Sequence, residues 1–149
     1  MIEFYQGHTS TSSGKVRLVL EEKGIEYNEI NVDLMSGEHK ATEYFKLNPN
    51  ALVPTIVHDG KVLIESTLIA EYLDEVFDGP TLRPSDPFEL AQMRRWPKIV
   101  DEELHPATLG VTYTVVVRNV MAQKKTAEEI EASFVAMTDQ TRAKGMRVM

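Results

Sequence analysis

The chain has 149 residues, 16 basic side chains against 23 acidic ones, a formal charge of -7 and no cysteine. The acidic balance argues against a nucleic-acid surface, which needs a basic face to neutralise phosphates. The missing thiols exclude disulfides, thiolate metal sites and a cysteine nucleophile of the chain's own, so any sulfur chemistry must use a ligand's sulfur. No run approaches the roughly 20 apolar residues of a membrane span. The opening "MIEFYQGH" lacks the basic and apolar regions of a signal peptide, so the expected compartment is the cytoplasm.

The short apolar run before Gly7 fits a buried strand. Val16, Val19 and Leu20 then trace one helix face, and Gly24 is a C′ stop. Ile30, Val32 and Leu34 alternate with polar residues as in a half-buried strand. Strand, helix and strand in so short a span make a βαβ unit with parallel strands. Residues 37–46 read as a short polar helix closed by Asn48-Pro49. Thr55–Val57 and Val62–Ile64 flank Asp59-Gly60, a pair favoured in two-residue hairpin turns, and should be antiparallel. Ser66 begins a helix whose Leu68, Ile69, Tyr72, Leu73 and Val76 form an apolar stripe ended by Gly79-Pro80.

The order βαβ, helix, ββα is complete near residue 77, and the proline-rich 78–87 reads as a linker. Asp86, Pro87 and Glu89 supply an N-cap, an N1 proline and an N3 carboxylate. Met93, Trp96, Ile99, Val100 and Leu104 continue that helix, with Pro97 expected to kink it and His105-Pro106 expected at a helix end. Thr126 with Glu129 opens another helix carrying Ile130, Phe134 and Met137. So few amphipathic helices provide little cover for their own apolar stripes, and the second domain is expected to be incomplete. Uncovered stripes also predict oligomerisation, swapping or poor solubility.

Thr9, Ser10, Thr11, Ser12 and Ser13 place five hydroxyls at a strand-to-helix junction. One reading is an N-cap in which Ser12 or Ser13 accepts from a first-turn N–H. A phosphate cradle is a poor second, because the glycines and lysine of a phosphate-binding loop are missing. The third is a thiol-activating hydroxyl. At a helix N-terminus the dipole favours a ligand thiolate, and a donated O–H bond stabilises the anion over the thiol. No metal spacing links His8, His39, His58 and His105.

The segments "STSSGKVRLVLEEKGIEY", "LNPNALVPTIVHDG" and "ESTLIAEYLDE", with "SDPFELAQMRRW" after them, resemble the cytosolic glutathione transferases in order and spacing. Within that family the likeness is to bacterial serine-type members, zeta-like and lignin β-etherase-like. The resemblance implies an α/β fold: a thioredoxin-like βαβ-ββα domain over 1–77, a linker over 78–87 and part of an all-helical domain over 88–149. It also implies that helices found in longer relatives are missing here.

By the same resemblance the activating serine falls on Ser10, counted back from Val16, with Ser12 as the second choice. Val53-Pro54 falls on a cis-proline pair whose Val53 N–H and C=O would meet the cysteinyl backbone of glutathione. Ser66 would take the γ-glutamyl carboxylate and Glu65 would favour its ammonium, although Ser66 as a simple N-cap and Glu65 as a solvated charge stay open. His39 and Lys40 match positions that reach the glycine carboxylate, or are merely solvated. Relatives often carry a lysine or arginine before the Val-Pro pair, and this chain has Leu52, which weakens that anchor. Met93, Trp96 and Tyr113 would wall the pocket for an apolar electrophile, or belong to a core. The implied function is glutathione transfer of the detoxification kind by a homodimer, with the Ser66 helix meeting the partner's 93–99 helix. The rivals are a non-catalytic ligand-binding or interaction module and a glutaredoxin-like oxidoreductase, the latter opposed by the absence of cysteine.

Overall fold

The structure, a computed structural model, describes residues 1–112, 115, 118–123, 126–132 and 135. Contacts divide the chain into two compact units, Met1–Pro97 and Lys98–Met149.

The first unit is built on strands β1 (Ile2–Gln6), β2 (Tyr27–Asn31), β3 (Thr55–His58) and β4 (Lys61–Ile64), in spatial order β2-β1-β3-β4. β1 pairs parallel with β2, and β3 pairs antiparallel with both β1 and β4. This is the expected mixed sheet of a thioredoxin-like domain. Helix α1 (Thr11–Glu22) crosses from β1 to β2, and α3 (Ser66–Val76) follows β4. Ile2, Phe4, Val16, Leu20, Ile56, Ile69 and Leu73 are the sealed core between these helices and the sheet. Burying each such side chain stabilises the fold by about 1.5–3 kcal/mol. The hairpin turns where Asp59 and Gly60 both take positive φ, 50° and 75°. That conformation favours Asn, Asp and Gly, as read from the sequence.

Three local readings are corrected. The polar helix over 37–46 splits into a 3-10 turn (Glu38–Lys40) and α2 (Thr42–Leu47), because Ala41 is extended at φ -64°, ψ 147°. On α3 only Ile69 and Leu73 of the apolar stripe are sealed, whereas Leu68 and Val76 stay half open to solvent. The chain does not leave the helical state at His105: it runs from a π-helical turn straight into an α-helix, and the wider turn, with the His105 N–H on the Val100 carbonyl, accommodates the ring and missing N–H of Pro106.

Beyond α3 the chain is strapped back onto this unit. Lys23 and Asp74, almost wholly buried side chains, pair at 3.1 Å. Lys23 Nζ also donates to the Pro80 carbonyl at 3.0 Å, the Leu82 N–H donates to Asp74 Oδ1 at 3.0 Å, and Arg83 lies 3.4 Å from Asp74. Gly79 passes so close that a Cβ there would stand 2.9 Å from the Lys23 carbonyl oxygen. Helix α4 (Pro87–Ile99) then begins as expected, with Asp86 Oδ1 accepting from the Phe88 and Glu89 N–H groups at 2.9 Å.

Among the described residues the second unit is helical: a π-helical turn (Val100–Leu104), α5 (His105–Thr112), α6 (Arg118–Met121) and residues 127–132. Thr126 and Glu129 form the reciprocal cap read from the sequence, at 2.8 and 3.3 Å. Phe134, Met137 and Tyr113 lie outside the described residues. No described helix is long and apolar enough to cross a membrane.

Candidate functional site

The sheet register brings three junctions to one end. Tyr5 stands opposite Thr55, and Thr55 opposite Ile64. The chain leaving β1 towards Ser10, the chain entering β3 through Val53-Pro54 and the chain leaving β4 into Glu65-Ser66 therefore start side by side. Neighbouring strands are about 4.8 Å apart, so the three starting points lie within about 10 Å across the sheet.

Ser10 is the N-cap of α1. Its Oγ accepts from the Ser13 N–H at 3.2 Å, its N–H donates to the Gly7 carbonyl at 2.9 Å, and its carbonyl takes the Gly14 N–H at 3.0 Å. The cap is thus Ser10, and not Ser12 or Ser13, because the helix begins at Thr11, two or three residues earlier than that reading required. A hydroxyl that accepts still has its own proton to give. Ser13 is buried and closes the loop from inside, its Oγ accepting from Gly7 N–H at 3.2 Å. Ser12 is half-buried in the first turn and Thr11 is exposed; among the described hydrogen bonds none uses their N–H groups. One half-buried O–H and the positive end of a helix therefore face the same space.

Val53-Pro54 is cis. The preceding Leu52 has an exposed side chain, but its carbonyl is held from inside by Tyr44 Oη at 2.6 Å and Asn48 Nδ2 at 2.8 Å. Among the described hydrogen bonds none uses the N–H or C=O of Val53. Neither Tyr44 nor Asn48 stood out in the sequence beyond marking a helix and its end. The signal that could have pointed to them is an asparagine one turn after a helical tyrosine, just upstream of an X-Pro strand entry.

At the third junction Glu65, not Ser66, occupies the cap position of α3. It holds φ 72°, ψ 107° and makes no side-chain cap bond. A glutamate at that φ costs of order 1–3 kcal/mol. Ser66 is the first helical residue and is 8% exposed. The uncapped amides and the Ser66 hydroxyl make a place suited to a carboxylate.

His39 and Lys40 lie on the 3-10 turn that follows β2, on the far edge of the sheet from Glu65. Burial, and next the Lys40 charge, push the His39 imidazole below its ordinary 6.5 against the pull of Asp33, so the ring is neutral at pH 7. Its Nδ1 is buried without a hydrogen-bond partner. Lys40 is exposed. A groove of about 450 Å³ lies between the sheet and α2, lined by Tyr5, Ile30, Val32, Tyr44 and Leu47 among others, but not by Ser10, Val53 or Ser66. In the first unit Met93 is half-buried and Trp96 is 71% exposed.

Comparison with known proteins places this arrangement. Residues 9–76 match the family model described as glutathione S-transferase, N-terminal domain. Protein LigF of Sphingobium sp. is 40% identical over 134 residues, 87% of this chain and 51% of that protein. The crystal structure of the beta-etherase LigF superposes with a TM-score of 0.79 at 38% identity, over 88% of this chain and 54% of that one. A maleylacetoacetate isomerase from Methylobacterium extorquens AM1, solved with bound malonate and GSH, gives 0.69 at 30% identity over 79% of this chain and 56% of that one. The chain spans about half the length of these relatives.

Proposed function

Because residues 9–76 of this chain belong to the glutathione S-transferase N-terminal domain family, we propose that it binds reduced glutathione and stabilises its thiolate at Ser10 for attack on an apolar electrophile. The observation that carries this reading is the convergence of the Ser10, Val53-Pro54 and Glu65-Ser66 junctions at one end of the sheet. Each offers the chemistry that one part of the tripeptide needs.

The Ser10 O–H and the first amides of α1 donate to the sulfur, which lowers the thiol pKa from about 8.5 towards neutrality. Val53 N–H donates to the cysteinyl carbonyl and Val53 C=O accepts from the cysteinyl N–H, as an added strand would. Ser66 and the amides of α3 take the γ-glutamyl carboxylate, and Glu65 faces its ammonium. Lys40 supplies charge to the glycine carboxylate, while neutral His39 offers a hydrogen bond. Ser12 lines the thiol's surroundings and is the second choice as donor. Bound GSH in the related isomerase structure supports glutathione as the ligand. The beta-etherase name of LigF supports an enzymatic role.

The working form is a cytoplasmic homodimer in which α3 meets the partner's α4. Exposed Leu68 and Val76 on α3 and Phe88 and Trp96 on α4 are the apolar surface available for it. A monomeric mass in light scattering at micromolar concentration would remove the dimer.

Calorimetric titration of the 149-residue chain with reduced glutathione tests the reading: one saturable site per chain is expected. A folded chain that takes up no glutathione would leave the non-catalytic interaction module in its place. The observation favouring that second reading is Leu52, half exposed where relatives often hold a cation.

A further inference from the structure

The buried pair behind Leu52 has a proton ledger that closes. Asn48 Oδ1 accepts from the Asn50 N–H at 3.0 Å, which fixes the amide orientation. The two Asn48 Nδ2 protons then go to the Leu52 carbonyl at 2.8 Å and to Thr55 Oγ1 at 3.1 Å. Thr55 passes its own proton to Tyr44 Oη at 2.9 Å, and the Tyr44 proton goes to the Leu52 carbonyl at 2.6 Å. All three side chains are sealed, at 6%, 2% and 0% exposure for Tyr44, Asn48 and Thr55. Burial raises the Tyr44 phenol above its ordinary value and outweighs the lowering influence of the neighbouring Thr55 and Asn48 side chains, so it remains a donor at neutral pH.

Two strong donors on one carbonyl do more than satisfy it. The Leu52–Val53 bond is an ordinary trans peptide, and in such a planar unit the C=O and the following N–H point in opposite directions. Holding the Leu52 oxygen inward therefore turns the Val53 N–H outward. We propose that Tyr44 and Asn48, braced by Thr55, are positioning residues that aim the Val53 N–H at the cysteinyl carbonyl of glutathione. The inference rests on the reading above that Val53 meets that backbone. It adds two residues on α2 and its end to a site otherwise made at three junctions of the sheet.

The test compares reduced glutathione with an analogue whose cysteinyl–glycyl amide is replaced by a trans-alkene, which keeps the shape and lacks the carbonyl acceptor. Both are titrated calorimetrically into the full chain and into its Tyr44→Phe and Asn48→Asp variants, with folding checked by near-UV circular dichroism. The parent should prefer glutathione by about tenfold, the worth of one hydrogen bond. Tyr44→Phe, which loses only a hydroxyl, should narrow that preference to about threefold, and Asn48→Asp should erase it. A general loosening would weaken both ligands alike and leave their ratio unchanged. Folded variants that keep the parent's ratio would overturn the positioning role while leaving the site intact. Should Asn48→Asp fail to fold, Tyr44→Phe alone decides. A parent that binds glutathione without preferring it to the alkene would sink the Val53 pairing and this inference together. A parent that binds neither ligand would remove the glutathione site itself.

Discussion

At the β1–α1 junction a serine caps the helix in relaxed backbone, while at the β4–α3 junction a glutamate holds positive φ and caps nothing. Both helices point their N-termini towards the same end of the sheet. The first has one of its free amides satisfied by the residue that would also touch the sulfur, so stability and chemistry share a side chain. The second has no side-chain cap and bears backbone strain at its cap residue, so under the proposed reading stability and binding would oppose each other. A thiolate needs one well-aimed proton, whereas a carboxylate profits from several open donors.

The largest effect expected is at the first junction. Ser10→Ala should cost about 1 kcal/mol of stability through the lost cap. It should also raise the pKa of bound glutathione by about one unit, slowing conjugation about tenfold near neutral pH. Ser10→Asp separates the two roles, because a carboxylate caps the helix but repels the thiolate. Its melting temperature should return to the parent's while its pH–rate profile moves further alkaline. An Asp variant as active as the parent would reduce Ser10 to a cap.

A smaller effect is expected at the second junction, and with mixed sign. Glu65→Gly relieves the positive φ and should stabilise the chain by about 1 kcal/mol, yet weaken glutathione binding by removing the carboxylate. Ser66→Ala should leave stability nearly unchanged and weaken binding about tenfold, as for a hydrogen bond to a charged group. If Glu65→Gly lowers the melting temperature instead, the strain is not the glutamate's, and the contrast between the junctions collapses.

The smallest shift concerns His39, which belongs to neither junction. Its depressed pKa means that the unfolded chain binds the proton more readily. The stability linked to it is therefore full above the ordinary 6.5 and drains as pH falls from there towards the lower folded value. An NMR titration should find the free chain's ring titrating below 6.5, and glutathione should move it upward if the glycine carboxylate approaches. A ring that titrates at or above 6.5 would show that it is solvated.

Much of this was legible in the residues wherever the determining chemistry is local. Asp59-Gly60 names its turn, Asp86-Pro87-Glu89 names its helix start, and Thr126 with Glu129 names its cap, because each acts within a few residues. The family resemblance added the order of the site segments. What the residues hid was settled by partners distant in the chain. Which of several adjacent hydroxyls caps α1 depends on where the loop from Gly7 closes, and Ser13 closes it from within. Only part of the α3 stripe is buried, and helical spacing marks apolar residues without saying which flank of a broad stripe is covered. Asn48 looked like a helix terminator, and its work at Leu52 and Thr55 depends on β3 returning beside it.

The strap beyond α3 also says where this domain can be cut. Ending a fragment at residue 77 would remove the Pro80 carbonyl, the Leu82 N–H and Arg83 from around Lys23 and Asp74, two charges that lie almost out of reach of water. Losing the groups around a buried ion pair leaves its desolvation poorly compensated. A portable version of this first domain should therefore run at least through Arg83, and exchange of helical domains between relatives should place its seam after the strap.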